Sequence, residues 1–541
     1  MMQFLTARSS ASIATLRCLV LGILVFTSSL AAQTLPNVLF IMADDLRPEL
    51  GCYGVKHVVT PNLDRLAATG VRFERAYCQE AICMSSRTSM LSGCRPDRHG
   101  IWTNRDVRNQ LAGLPFFPEH FKKHGYHTVG LGKIAHSLWE VPSCWSEPHF
   151  LPANTPYECR TRAGRVLVKK VQDEAAAAGK PDPFLNVPEE IRRGLPVESL
   201  DVADNELGDG QLADRAIAVL RRMKQRPFFI GLGFVRPHLP FVAPKKYFDL
   251  YDPAKLPLTP VDTVPAAMPA LAVNDSSELR TQYREVPAKG PMPEPLARHL
   301  LHGYLACVSY VDAQIGRVLD ELDRLGLSDN TIVVFTSDHG FHLGDLGQWC
   351  KATNFEVATR VPLIIRAPEM KAQGTKSRAL VELVGLYPTL CDLAKLPKPG
   401  HLEGASFAPL LDEPEKPLFD AVLSQFPRGG AMGRSLRTDR HRYTEWQNQK
   451  SGEIVARELY DHESDPHEAV NLAGKPEHAA LIKTLSKQLR ASTATCMEAD
   501  AQSKGQNRQP GAFGCPSRPL QRGNRQPSQT GNHPPPDART Q

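Results

Sequence analysis

Three things are scarce in this 541-residue chain, and each scarcity excludes something. Cysteine is thin, twelve in all, too few for a small-domain disulfide scaffold at this length. No stretch beyond the first 32 residues is apolar over a length that could span a bilayer. No internal repeat is visible, which argues against solenoids and propellers. Charge of one sign is also missing from the body. The formal excess of +6 comes from Arg8 and Arg17 near the start and from residues 500–541, where six Lys/Arg face only Asp500 and Asp537. The neutral remainder offers no electrostatic footprint for nucleic acid or anionic membranes. What is present, 42% hydrophobic and 23% charged residues, suits a large globular core of one or two domains.

The N-terminus reads as a targeting segment. Arg8 and Arg17 precede an apolar run over residues 18–26 and then Thr27-Ser28-Ser29-Leu30-Ala31-Ala32. A charged start, a short apolar stretch and a small-residue end predict a cleaved signal peptide over residues 1–32, with export to a periplasmic, extracellular or other secretory compartment. The run is too short for a comfortable anchor. Cys18 would leave with the peptide, and Cys83 is claimed below for chemistry. The other ten cysteines are available for pairing in an oxidising compartment, with connectivity open.

Four short apolar runs each end in polar residues. Asn37-Val38-Leu39-Phe40-Ile41-Met42 leads to Asp44-Asp45, and His127-Thr128-Val129-Gly130-Leu131-Gly132 to Lys133 and His136. Pro227-Phe228-Phe229-Ile230-Gly231-Leu232 leads toward Arg236-Pro237-His238, and Thr331-Ile332-Val333-Val334-Phe335-Thr336 to Asp338-His339. Such runs predict strands buried on both faces. Thr60-Pro61 opens a helix that Gly70 ends, and residues 301–325 carry Leu301, Leu305, Val308, Val311, Ile315, Val318, Leu322 and Leu325 at helical spacing. Alternating buried strands and amphipathic helices predict an α/β layered fold. In open α/β sheets ligands bind beyond the carboxyl ends of the strands, so the four polar clusters are expected in one cleft.

The predicted catalytic domain covers residues 33–412, followed by a smaller α+β subdomain over 413–499. Two long irregular stretches, 140–205 and 252–298, are assigned to the cleft rim. Residues 500–541, with seven prolines and almost no aliphatics, read as a disordered tail.

Asp44, Asp45, Asp338 and His339 supply three carboxylates and an imidazole at two strand ends. Their mutual repulsion calls for a cation, and oxygen donors suit calcium better than zinc. Paired acids alone are more often a solvated turn. A further segment narrows the choice: Cys83-Met84-Ser85-Ser86-Arg87-Thr88-Ser89-Met90-Leu91-Ser92-Gly93 resembles the sulfatase signature Cys-x-Pro-Ser-Arg with its Leu-Thr-Gly-type ending. Ser85 stands where the signature has proline, and Cys94 where arginine usually follows the glycine. Thr60-Pro61-Asn62-Leu63-Asp64-Arg65-Leu66, Gly132-Lys133-Ile134-Ala135-His136 and Ser337-Asp338-His339-Gly340 resemble further sulfatase blocks, as does Leu459-Tyr460-Asp461 with Asp465-Pro466, Glu468 and Asn471-Leu472. Arg236-Pro237-His238-Leu239-Pro240-Phe241 and Trp349-Cys350-Lys351-Ala352-Thr353-Asn354-Phe355-Glu356 are similar to the iduronate-2-sulfatase-like branch. The likeness runs over about residues 35–475.

This resemblance implies an alkaline-phosphatase-like fold, with a large mostly parallel sheet flanked by helices and a smaller C-terminal subdomain. It implies an exported sulfatase acting on a sulfated carbohydrate, with one calcium ion per subunit and a formylglycine made from Cys83 by a maturing enzyme. Asp44, Asp45, Asp338, His339 and the residue at 83 would hold the calcium. One hydroxyl of the hydrated aldehyde would attack sulfur, with Arg87 and the ion stabilising the charge. Lys133 would support the diol, while His238 and Lys351 would bind sulfate and protonate the departing oxygen. His136 would take the proton whose loss expels sulfate. Two rivals stand beside this reading: a phosphoester or phosphonate hydrolase on the same scaffold, and a non-catalytic binder of sulfated glycans.

Overall fold

The computed structural model describes residues 35–104, 114–136, 141–152 and 194–506. The predicted signal peptide and residues 507–541 of the expected tail lie outside the described residues, as does most of the first irregular stretch, whereas residues 500–506, expected to be disordered, continue the last helix.

A seven-stranded sheet forms the centre, in the order β11-β2-β10-β7-β1-β5-β3. The four apolar runs are its adjacent strands β7 (Thr331–Ser337), β1 (Asn37–Ala43), β5 (Phe228–Gly233) and β3 (His127–Gly132), all parallel. Every residue of β1, β5 and β7 is buried, as expected for strands covered on both faces. The other half comprises β2 (Val71–Tyr77), β10 (Arg360–Arg366) and β11 (Thr375–Glu382). There β10 runs antiparallel to both β2 and β7, so the sheet is mixed.

The side-chain alternation of β1 divides the core. Leu39, Ile41 and Ala43 face a layer formed by α1 (Pro61–Thr69), α4 (Gly208–Met223) and α6 (Glu294–Arg324). Val38, Phe40 and Met42 face α2 (Cys83–Ser92), α3 (Phe117–Lys123) and α7 (Leu386–Leu393). Thr60 does sit before α1, but its hydroxyl accepts from Gly51 N at 2.9 Å instead of capping the helix.

The irregular stretches are not wholly irregular. Strand β4 (Val197–Leu200) pairs in parallel with β6 (Phe241–Pro244), and α5 (Ser277–Gln282) breaks the second stretch before α6 begins at Glu294. A hairpin of β8 (His342–Leu343) and β9 (Trp349–Cys350) follows β7.

The C-terminal unit is an antiparallel meander of β12 (Ala421–Arg428), β13 (Ala431–Thr438), β14 (His441–Asn448) and β15 (Ile454–Asp461). Leu485 and Leu489 of α8 (Ala479–Gln506) pack on Leu436, Tyr443 and Leu459 of this sheet. Among the described residues no disulfide is formed. No described helix is long and apolar enough to cross a membrane.

Candidate active site

The parallel strands deliver their polar ends to one place. Strand β1 stops at Asp44, and the backbone turns at Asp45 with φ 62°, a left-handed conformation that a short polar side chain tolerates better than most. Asp45 N donates to Asp338 Oδ1 at 3.2 Å, and Leu46 N to Ser337 Oγ at 3.0 Å, tying the ends of β1 and β7 together. Tyr304 of α6 holds the turn by donating its hydroxyl to Asp45 O at 2.9 Å.

Gly132 ends β3 with φ 70°, and a Cβ there would lie 2.2 Å from Gly233 O. Only glycine lets the chain turn this close to β5, and Lys133 N then donates to that same carbonyl at 2.8 Å. Beyond β5, Asp209 accepts from Val235 N and Arg236 N, each at 2.9 Å, while the Arg236 guanidinium donates to Val242 O and His238 O, each at 3.0 Å. These bonds shape the loop carrying His238.

Cys83 is the first residue of α2, whose amide-rich end therefore faces the cluster. All ten residues of α2 are buried, and Gly93 closes it at φ 68° with its N–H on Ser89 O. The two departures from the signature are accommodated locally. Ser85 donates its hydroxyl to the fully buried Glu80 at 3.1 Å. Cys94 is buried, and the next residue, Arg95, makes a two-pronged pair with Glu382 at 2.9 and 2.5 Å.

Ligand atoms of Asp44, Cys83, Asp338 and His339 all lie within 4.8 Å of one another, and all four residues are buried. Nε2 of His339 is 3.3 Å from the Cys83 sulfur, 3.5 Å from Asp45 Oδ1 and 3.6 Å from Asp338 Oδ2. Four of the five residues expected to hold an ion thus form one group, while Asp45 belongs with Cys83 and His238 to a second group that shares Cys83.

The repulsion expected among the carboxylates is met differently from the sequence argument. Arg87 bridges Asp338 Oδ2 at 2.8 Å and Asp44 Oδ1 at 3.0 Å, Lys133 bonds the other oxygen of Asp44, and Lys351 lies 2.8 Å from Asp45 Oδ2. Three buried cations therefore face three buried carboxylates. Burial opposes ionisation of Asp44, but Lys133 and Arg87 outweigh it and hold the carboxyl well below its usual range. Burial dominates at Asp45 and raises its carboxyl despite His238 and Lys351. It also pushes the Cys83 thiol far up, against the pull of Lys133 and Lys351, leaving little thiolate to act as nucleophile or ligand.

His238 and Lys351, both buried, meet beside Asp45, together with a residue the sequence did not single out. Nε2 of His238 lies 3.2 Å from Glu278 Oε1, and Lys351 Nζ lies 3.1 Å from the same oxygen. Glu278 belongs to α5 in the second irregular stretch, where no periodicity or motif marked it. His136 is buried beside Lys133, and burial with that neighbour lowers its imidazole to about 3. Its Nδ1 has no hydrogen-bond partner among the described residues.

The donor set fits a hard cation once the residue at 83 presents oxygen. Carboxylates and one imidazole suit calcium, whereas a neutral thiol does not. With an ion in place the balance among these charges would shift toward positive, a state suited to an anionic substrate.

Comparison with known proteins gives the family. The sulfatase family profile matches residues 36–396, and the profile for the C-terminal part of N-sulphoglucosamine sulphohydrolase matches residues 344–495. The chain is 34% identical over 535 residues to iduronate 2-sulfatase of Mus musculus, covering 83% of this chain and 93% of that protein. A solved complex with D-glucosamine-2-N,6-O-disulfate as its substrate has a TM-score of 0.68 at 24% identity, covering 86% of this chain and 99% of the other. The phosphonate monoester hydrolase of Agrobacterium radiobacter gives 0.67 at 22%, covering 85% and 96%. At these identities the two solved structures speak to the fold alone, which serves more than one ester chemistry. The family profile spans more than half of the chain, and the mouse relative matches along most of its length. The chain belongs to the sulfatase family and is a sulfuric ester hydrolase.

Proposed function

We propose that the protein is an exported sulfatase that removes sulfate from a sulfated sugar, using a formylglycine made from Cys83 and a calcium ion held by Asp44, Asp45, Asp338, His339 and residue 83. The observation that carries the reading is the convergence of four potential ligand atoms, one of them the Cys83 sulfur at the first turn of α2, within 4.8 Å of one another. The hydrated aldehyde would supply a hydroxyl to attack sulfur, and the ion would supply positive charge for the nucleophile and sulfuryl oxygens.

The chain's own residues would do the rest. Arg87, tied to Asp44 and Asp338, keeps a fixed positive charge beside position 83. Lys133, bonded to Asp44, would support the hydroxyl-bearing group from the β3 side. Lys351 and His238, both beside Asp45, would bind the sulfate oxygens and give a proton to the departing sugar oxygen. His136, beside Lys133, would be the group to accept the proton released as sulfate leaves, a role for which its Nδ1, without a hydrogen-bond partner among the described residues, speaks. A sulfated sugar is favoured by likeness to iduronate 2-sulfatase and to other glycan sulfatases, among them an ulvan-active sulfatase of Formosa agariphila. Export rests on the pattern of residues 1–32.

The test is release of free sulfate across a panel of sulfated glycans, run beside sulfate and phosphate esters of one phenol. Sulfate release with at most weak phosphatase activity is expected. Preference for the phosphate ester would move the protein to the phosphohydrolase reading. Saturable glycan binding without release would favour a binding protein.

A further inference from the structure

None of the sulfatase-like segments includes Tyr304, yet its hydroxyl ends on the turn that carries Asp45. Building on the calcium reading above, we propose that Tyr304 is a positioning residue for the ion. Its hydroxyl fixes the Asp45 turn and its ring braces the segment after His339, so that two ligand-bearing strand ends keep one geometry.

The hydroxyl closes the turn from both sides. It donates to Asp45 O at 2.9 Å and accepts from Arg47 N at 3.1 Å. A phenol does both at once, whereas a phenylalanine ring does neither. The turn needs such a clamp because Asp45 is left-handed, at φ 62°, a backbone state that persists only where the surroundings hold it. Both backbone groups would also lose a partner with the hydroxyl gone. A turn that relaxes carries the Asp45 carboxylate with it.

The ring is held as firmly as the hydroxyl. Tyr304 is fully buried, and its ring stacks on Phe341 with centroids 5.8 Å apart and planes 20° from parallel. Phe241 of β6 meets it edge-on, 5.6 Å away at 87°. Gly303 permits this approach. A Cβ there would lie 2.7 Å from Val197 and 2.9 Å from Phe241, too close for α6 to rest on β4 and β6. Phe341 lies two residues beyond His339, and its amide donates to Val357 O at 2.8 Å. One side chain therefore touches both segments that supply the proposed ligands, Asp44-Asp45 and Asp338-His339.

Ser337 braces the same turn from β7. Its hydroxyl accepts from Leu46 N at 3.0 Å and donates to His339 O at 2.9 Å. With that second brace in place, losing the Tyr304 hydroxyl should loosen the turn and not dissolve it. Asp45 Oδ1 lies 3.5 Å from His339 Nε2, so a small rotation of the turn changes how the two could share an ion. Contacts that hold a ligand in place typically carry about 10–100-fold in metal affinity. Tyr304 acts through Asp45, and affinity for calcium is the quantity it should set.

Tyr310 supplies the control. It is buried on the same helix, donates its hydroxyl to Asp204 O at 2.8 Å and accepts from Gly210 N at 2.7 Å. The bonds are of the same kind, but neither partner carries a proposed ligand.

The experiment strips metal from the full chain and titrates calcium back by calorimetry into wild type, Tyr304→Phe and Tyr310→Phe made in the same host. Tyr304→Phe is expected to bind calcium at least about 10-fold more weakly, and Tyr310→Phe within about 2-fold of wild type. The rise in Tm that calcium brings should shrink in Tyr304→Phe alone, which separates a disturbed ligand from a weakened fold. Equal Kd in wild type and Tyr304→Phe, or an equal loss in both variants, overturns the proposal while the calcium reading stands. A wild type that releases sulfate yet takes up no calcium overturns both.

Discussion

Two buried charge clusters in this molecule use the same residue types to different ends. At the strand ends, Asp44, Asp45 and Asp338 face Arg87, Lys133 and Lys351. At the junction with the C-terminal sheet, Glu356 and Glu468 face Arg442, Arg437 and His462. Both bring acids and a histidine close enough to suggest a metal. The second cluster is closed. Both oxygens of Glu356 are taken, one by Tyr77 and the other by Arg442 and Arg437. Glu468 accepts from Arg442, His462 and the Glu356 backbone. Guanidinium forks saturate the carboxylates, which leaves no donor set for an ion and makes a staple. The first cluster relies partly on lysines, which bind as point charges and exchange partners more readily, and it surrounds Cys83. Paired charges alone do not separate a reaction centre from a staple. What separates them is whether a reactive group, here Cys83, sits among the ligands.

This contrast breaks most sharply at Cys83. Cys83→Ala should lose at least about 10⁴-fold in sulfate release with its Tm nearly unchanged, measured by ion chromatography and thermal unfolding. An active alanine variant would remove residue 83 from the chemistry. Next in size, Asp338→Ala and Asp45→Ala should each lose about 10³-fold, and chelation of wild type should abolish activity that added calcium restores. Full activity in excess chelator, after metal loss is verified, would leave the charge-balanced cluster working without an ion.

The staple should answer in stability. Arg442→Met leaves Glu356 and Glu468 buried with fewer partners, at a cost of about 3–5 kcal/mol. Its Tm should fall clearly, with kcat per folded molecule within about 3-fold of wild type. A variant that keeps its Tm but loses turnover would make the second cluster functional. The smallest effect is expected for truncation after residue 506, which should change Tm and aryl sulfatase rate by less than about 2-fold or 2 °C, since that segment has few apolar residues to dock.

The four parallel strands were legible because β1, β5 and β7 are buried on both faces and nearly all of β3 is buried, which forces continuous apolar runs. Once those strands were adjacent, Asp44, Lys133, His238 and Asp338 had to share a cleft. The other half of the sheet was hidden for opposite reasons. β2 alternates buried Val71 and Phe73 with charged Arg72 and Glu74, and β10 carries Pro362 at a register shift. Lys351 was found through a motif and not through periodicity, because it sits between two left-handed residues, Cys350 and Ala352. Glu278 had neither signal. It meets His238 across 40 residues and Lys351 across 73, which no local pattern records.

The central claim concerns what stands at position 83. Its most direct test is mass spectrometry of the tryptic peptide spanning residues 76–87, from protein made in its native host, with fragmentation to separate Cys83 from Cys78. The account predicts that Cys83 has lost its sulfur and carries an aldehyde that a carbonyl probe labels, while Cys78 remains a thiol. A protein that releases sulfate while residue 83 is wholly unmodified cysteine would contradict it.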